Sequence, residues 1–244
     1  MLPVPAPVPA IRPRVIPEAS LRRLPVYHRV LQEIAATGVT CVSCSAIARA
    51  LDLDPTQVRK DIEVTGIVGK PKVGYSLPGL MVWIEDFLGW NNCKEAFLGG
   101  AGSLGSALLG YEKFRQFGLN IVAAFDTDPY KVGQQIHGKA VLHLDKLPDL
   151  AQRMHIHLGV LATPAVVAQQ VADKMVEGGI RAIWNFAPVH LRVPAGVIIQ
   201  NEDLYHSLAS LSFKLERLLM EEGGAGTLNN VINPGNTING GTEI

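Results

Sequence analysis

Gly100, Gly102 and Gly105 stand in the spacing G-x-G-x-x-G, and an acid, Asp126, follows further along the chain. The glycines come directly after an apolar run, Ala96 to Leu98. They precede an amphipathic pattern of Leu104, Ala107, Leu108, Tyr111 and Phe114, and a second apolar run, Ile121 to Phe125, ends in Asp126. Strand, glycine turn, helix, strand and terminal acid in this order make a dinucleotide site. Gly100 allows the tight turn, Gly102 lets a pyrophosphate approach the backbone, and Gly105 lets the helix pack close to the sheet. The helix opening at Ser103 and Leu104 turns its free N–H groups, with those of Ala101 and its neighbours, toward phosphate. Asp126 would accept hydrogen bonds from a ribose diol and repel the extra phosphate of NADP; Thr127 and Asp128 offer no arginine to attract it. The expected cofactor is NAD(H). Alternatives are a glycine turn that binds nothing and a coenzyme A site on the same fold.

The 244 residues suffice for one large or two modest domains, and 48% apolar against 18% charged content allows a substantial core. Net charge is zero, yet Arg12 to Lys72 holds ten Lys/Arg against six Asp/Glu, leaving −4 for the remainder. That asymmetry points to an N-terminal module facing a polyanion. The three cysteines, Cys41, Cys44 and Cys93, make no paired disulfide framework, and no His pair completes a metal site around Cys41-x-x-Cys44. A reducing, cytoplasmic setting is expected. Residues 1–17 read as an extended arm without a continuous apolar stretch, so neither a signal peptide nor a membrane span is expected there. Residues 223–244, rich in Gly and Asn, read as a disordered tail.

Between these ends, helical spacing covers Ser20 to Ala36, closed by Gly38, with Pro25 placed in the first turn or two. A second helix is expected from Cys44 to Leu51. A third begins at Asp54-Pro55, an N-cap followed by proline at the first helical position, and runs to Ile62. Val58 and Ile62 face inward; Thr56, Gln57, Arg59 and Lys60 are left outward. Gly66 to Tyr75 reads as a hairpin with Lys70 and Lys72 near its tip. Two short helices and a basic hairpin make a winged helix-turn-helix, with the third helix entering a major groove and the lysines on phosphate or in the minor groove. Ser45 and Tyr75 complete the residues expected at DNA. A helix from Leu80 to Leu88 leads to a domain boundary near residue 90.

The combination resembles the Rex family of redox-sensing transcriptional repressors, over roughly Ile16 to Leu215. Ile16-Pro17-Glu18-Ala19-Ser20-Leu21-Arg22-Arg23-Leu24-Pro25 resembles the family's opening helix and Gln57-Val58-Arg59-Lys60-Asp61 its recognition helix. Val73-Gly74-Tyr75, Phe125-Asp126-Thr127-Asp128-Pro129, Asn185-Phe186-Ala187-Pro188 and Leu211-Ser212-Phe213 are similar to further family motifs. The resemblance implies an α/β protein with a winged helix over 18–90, a Rossmann-like parallel-sheet domain over 91–202, and a helix over 203–222 that swaps onto a second subunit. It implies that Thr163, Pro164, Asn185, Phe186, Ala187 and Pro188 line the nicotinamide side, that Tyr111, on the helix after the glycines, lies near the nicotinamide, and that Asp203 is its acidic partner in sensing. It implies a homodimer on an operator palindrome of double-stranded DNA, released by NADH, with no catalytic residue. The chain departs from the family in Glu63-Val64-Thr65-Gly66, where S-Y-F-G is usual, and in the wing, where Pro71 replaces an arginine and Lys72 follows. Leu204 stands where an aromatic often follows the acid.

Two other functions fit parts of the sequence. An NAD-dependent oxidoreductase with an accessory N-terminal domain would draw a general acid or base from His143, His155, His157, His190 or His206, but the chain leaves no segment for a substrate domain. A coenzyme A-responsive regulator would use the same glycine turn.

Overall fold

The computed structural model describes residues 16–71 and 73–228. The expected arm lies outside the described residues up to residue 15, Lys72 lies outside them, and so does the expected tail from residue 229. Packing divides the chain into two compact units: the described part of 1–97 with 106–124 and 133–141, and 98–105 with 125–132 and the described part of 142–244.

The first unit begins with α1 (Glu18–Ala35), β1 (Cys41–Val42), α2 (Cys44–Leu51), α3 (Pro55–Val64), β2 (Tyr75–Ser76) and α4 (Leu77–Leu88). Local chemistry sets the boundaries. The Ser43 hydroxyl accepts the Ala46 N–H at 3.2 Å and starts α2. Asp54 accepts the N–H groups of Thr56 and Gln57 at 2.7 and 3.2 Å, with Pro55 at the first helical position, and starts α3. Apolar positions three and four apart on α1, α3 and α4 meet in one core with two adjacent residues of α2: Leu24, Tyr27 and Leu31 of α1, Ile47 and Ala48 of α2, Val58 and Ile62 of α3, and Leu77, Leu80 and Ile84 of α4. Burial of this kind stabilises by about 25 cal/mol per Å² of apolar surface, so these residues anchor the helices.

Three expectations change here. Pro25 lies inside α1, just past its first two turns rather than within them, because the helix opens at Glu18. Pro25 has no N–H to give the Leu21 carbonyl one turn earlier. The last helix of the module starts at Leu77, three residues before Leu80, since Pro78 suits the first turn. The wing is not a free hairpin: among the described residues only Lys70 and Gly74 bridge, and the return strand β2 pairs antiparallel with β1, Val42 opposite Tyr75. Gly74 is required there, because its φ is +88° and a Cβ would strike the Val42 carbonyl.

The chain continues with β3 (Lys94–Gly99), α5 (Ser103–Gly110), β4 (Leu119–Asp126), β5 (Gln135–Ile136), β6 (Lys139–His143), α6 (Leu147–Arg153), β7 (Leu158–Leu161), α7 (Ala165–Glu177), β8 (Ala182–Asn185), β9 (Ile198–Asn201) and α8 (Leu204–Leu228). Seven strands form one sheet in the order β5-β6-β4-β3-β7-β8-β9. β7, β8 and β9 pair in parallel, and the short β5 pairs antiparallel with β6. Leaving out β5, the chain order along the sheet is 3-2-1-4-5-6, that of a doubly wound dinucleotide-binding sheet. The order reverses between β3 and β7, where such sheets place their ligands beyond the carboxyl ends of the strands.

Two further expectations are corrected. Tyr111 is not on the helix after the glycines: α5 ends at Gly110, and Tyr111 precedes a separate 3-10 turn, Glu112–Phe117. A Cβ on Gly110 would meet the His137 ring at 2.7 Å, and the Lys139 ammonium donates to the Leu109 carbonyl at 2.8 Å, which holds the helix end. α8 runs to Leu228, through the start of the expected tail. Once a helix is established each further residue needs only one more bond, and no proline intervenes before Pro234.

Candidate functional site

The second unit contains a cleft of about 330 Å³ lined by Gly100, Gly102, Asp126, Lys131, Thr163 and Pro164, among others. Each glycine has a distinct steric reason. Gly100 has φ +95°, and a Cβ there would lie 2.6 Å from the Ala162 carbonyl oxygen. A Cβ on Gly105 would collide with the Gly100 carbonyl, so the helix packs against the turn only as glycine. Gly102 is the opposite case: nothing lies within 4 Å of its missing Cβ, so the backbone is bare on that side and open to a ligand. α5 begins one residue later and leaves its first N–H groups free for an anion.

Asp126 ends β4. Its carboxylate accepts the Ala101 N–H at 2.8 Å, the Asp128 N–H at 2.9 Å and the Lys131 ammonium at 3.2 Å. Burial alone would raise its pKa; these donors overcome that and hold it below the usual range, so the carboxylate is ionised. Lys131 also lies 3.4 Å from Asp128. The sequence reading missed Lys131 because it stopped at Thr127 and Asp128; the signal was a cation five residues past the strand-ending acid. Thr163 Oγ1 is buried with no hydrogen-bond partner. A buried hydroxyl left unpaired costs about 1–3 kcal/mol, and a polar ligand in the cleft would satisfy it. The open backbone at Gly102, the free amides, the ionised Asp126 and the orphaned Thr163 hydroxyl together fit a dinucleotide.

Leu104, Phe186, Ala187, Pro188 and Asp203 meet in a second, more open hollow of about 650 Å³ in the same unit. Asn185 is buried, and its amide is committed inward. It donates to the Ala187 and Val189 carbonyls and to Asn201 Oδ1, and accepts the Ala187 N–H. It shapes the 185–189 loop that presents Phe186 and Pro188. Asp203 caps α8, accepting the N–H groups of Tyr205 and His206 at 2.9 and 3.0 Å. Tyr111 belongs to the first unit; it is 49% exposed and stands edge-on to Phe114, ring centres 4.8 Å apart. Of the histidines weighed as acid or base, none joins a group of three or more metal-ligating residues among the described residues.

In the first unit, α3 presents Thr56, Arg59 and Lys60 to solvent, with Gln57 half-buried among them; Ser45 is exposed on α2 and Lys70 on the wing. Behind α3 lies a polar anchor. Asp61, 1% exposed, accepts Arg23 Nε at 2.6 Å and Nη2 at 2.9 Å, the Tyr27 hydroxyl at 2.7 Å and Gln57 Nε2 at 3.1 Å. Burial pushes the Asp61 carboxyl up, but Arg23 and the other donors hold it down to about 2. The same contacts raise the Arg23 pKa, and burial with Asp61 raises that of Tyr27. Tyr75 turns inward rather than out: it is half-buried, and a Cβ on Gly69 would lie 3.0 Å from its ring. Burial pushes the Cys44 thiol up, away from the thiolate that redox chemistry needs.

Comparison with known proteins agrees with this division of labour. Residues 15–62 match the family described as "Putative DNA-binding protein N-terminus", and residues 91–189 match "CoA binding domain". The chain is 46% identical over 192 residues to the "Redox-sensing transcriptional repressor Rex" of Treponema denticola, covering 79% of this chain and 91% of that protein. It is 42% identical over 200 residues to the protein of that name from Bacteroides fragilis, covering 82% and 91%. Among solved structures, RSP, a Rex-family repressor, in complex with β-NAD+ and operator DNA superposes with a TM-score of 0.80 at 32% identity, covering 87% of this chain and 98% of that one. RSP in complex with β-NADH does so at 0.76 and 33%, covering 86% and 99%. With a winged-helix core before it and a dinucleotide cleft at the sheet's switch point, the chain belongs to the Rex family of redox-sensing transcriptional repressors.

Proposed function

We propose that this protein is a homodimeric repressor that binds an operator palindrome through α3 and the wing and releases it when NADH occupies the cleft. The observation that carries the reading is the glycine turn with a bare backbone at Gly102, in one cleft with the ionised Asp126 and with Thr163, whose buried hydroxyl has no partner. Relatives solved with β-NAD+, β-NADH and operator DNA support it. The α5 amides would hold the pyrophosphate and Asp126 the adenosine ribose. The Asp128 and Ala101 N–H groups, with Lys131, keep Asp126 ionised, and an ionised carboxylate only accepts, which suits ribose hydroxyls. The nicotinamide supplies the signal, because its ring is neutral when reduced and cationic when oxidised. Phe186, Ala187, Pro188 and Asp203, which share one hollow, would receive that difference. A ligand shifts DNA affinity only by its unequal affinity for the two arrangements of the protein, so sensing requires NADH and NAD+ to favour different ones.

The dimer reading rests on α8. Tyr205, Leu208, Leu211, Phe213, Leu215, Leu218, Leu219 and Met220 are each more than half exposed on one helix. An apolar surface of this extent is an interaction site, and exchange of α8 between two subunits would bury it. No helix among the described residues is long and apolar enough to cross a membrane; we place the protein in the cytoplasm, beside DNA. It acts without catalysis: incubation with NAD+ and a panel of alcohols and hydroxy acids gives no steady turnover, and turnover would overturn the reading.

The match of residues 91–189 to a coenzyme A-binding family favours a second ligand for the same cleft. Coenzyme A carries a phosphate on its ribose, which the ionised Asp126 would repel. Competition between NADH and coenzyme A for the purified protein separates them; displacement of NADH by micromolar coenzyme A would favour the second ligand.

A further inference from the structure

The Asp61 carboxylate does more than anchor α3. It has no proton to give, because Arg23 and Tyr27 already donate to it and keep it ionised. An ionised carboxylate only accepts. Gln57, one turn earlier on α3, must therefore turn its amide nitrogen to Asp61 Oδ1, at 3.1 Å, and cannot flip. One amide proton is spent on this bond. What remains on Gln57 is one N–H and the Oε1 acceptor, on the helix that also exposes Thr56, Arg59 and Lys60.

A free glutamine can meet more than one base. With both protons available it can donate twice to guanine, whose O6 and N7 are both acceptors in the major groove. With one proton spent, that option is gone. One donor beside one acceptor complements adenine, which offers the N6 donor and the N7 acceptor. Cytosine and thymine each satisfy only one of the two groups, and guanine sets its O6 against Oε1. We propose that Gln57 is a base-reading residue that selects adenine over guanine at one position of each half-site, and that Asp61 is the positioning residue that fixes its amide. This rests on the reading of α3 as the recognition helix.

The test uses the full chain and a library of duplexes randomised over the length of two half-sites, bound and sequenced for the wild type, Gln57→Ala and Asp61→Asn. The wild type selects a palindrome with adenine at one symmetric position. In Gln57→Ala the preference for adenine there falls by roughly ten-fold or more, with the other positions unchanged. In Asp61→Asn guanine enters at that same position. In the free wild-type protein, one side-chain amide proton of Gln57 is protected from exchange. A Gln57→Ala variant that loses affinity equally for every sequence, or keeps the wild-type profile, overturns the base-reading role. Fast exchange of both Gln57 amide protons, or an unchanged adenine preference in folded Asp61→Asn, overturns the lock. A wild type that selects no sequence at all contradicts instead the DNA-binding reading on which the proposal stands.

Discussion

At the scale of single residues, the glycine turn separates folding from binding. Gly105 and Gly100 are constrained by the protein itself, whereas Gly102 is constrained by nothing within 4 Å. Gly105→Ala therefore destabilises the chain, seen as a lower melting temperature. Gly102→Ala leaves the melting temperature near that of the wild type and weakens NADH binding by about ten-fold or more in a fluorescence titration; an unchanged affinity would place the pyrophosphate elsewhere. Asp61 yields a pH prediction. Its folded pKa of about 2 lies below the ordinary carboxylate value. The unfolded state thus binds the proton more readily, and the stability it contributes is present above about pH 4 and lost as the pH falls toward 2. A shift of this size corresponds to about 2 kcal/mol. Urea unfolding at pH 7 and pH 3 should show about half of that loss, about 1 kcal/mol, in the wild type and much less of it in Asp61→Asn. The glycine turn and Asp126 were legible in the sequence because the glycine spacing and the strand-ending acid are local; Lys131, in the same cleft, carried no such pattern. The partners of Asp61 were not. Arg23 lies 38 residues away and Tyr27 34, and only tertiary packing of α1 on α3 brings them together.

At the scale of elements, the helix-turn-helix was readable because its caps are: Ser43 and Asp54-Pro55 mark the starts of α2 and α3 in the sequence and in the structure. The wing was read less well. β1 and β2 are two residues each and carry no periodicity, so their pairing across α2 and α3 left no sequence signal. The end of α5 was misplaced for a related reason. The apolar pattern runs through Tyr111 and Phe114, but the close approach of His137 to Gly110 comes from a hairpin in the later chain. Two predictions belong here. Lys70→Ala should lower the salt slope of DNA binding by about one phosphate contact, measured from 50 to 200 mM salt; an unchanged slope takes Lys70 off the phosphates. Leu211→Glu with Leu218→Glu puts charge on the exposed apolar row of α8 and should shift the protein from dimer to monomer in sedimentation, whereas a dimer of undiminished affinity would mean that α8 is not the interface.

At the scale of the whole molecule, one chain holds a DNA-reading module and a dinucleotide cleft in a sheet whose strand order places the ligand at the switch point. Neither part alone says what the protein does. A glycine turn of this kind serves enzymes as readily as sensors; the winged-helix core, the family membership and the apolar α8 decide for a sensor. The central claim is that the cleft and the recognition helix are coupled. The direct test is the affinity of the purified protein for an operator palindrome, selected by the protein itself, at fixed salt with no ligand, with saturating NAD+ and with saturating NADH. The account predicts that NADH weakens binding by at least ten-fold relative to NAD+, which corresponds to about 1.4 kcal/mol of coupling. An operator affinity that is the same in all three conditions would contradict it.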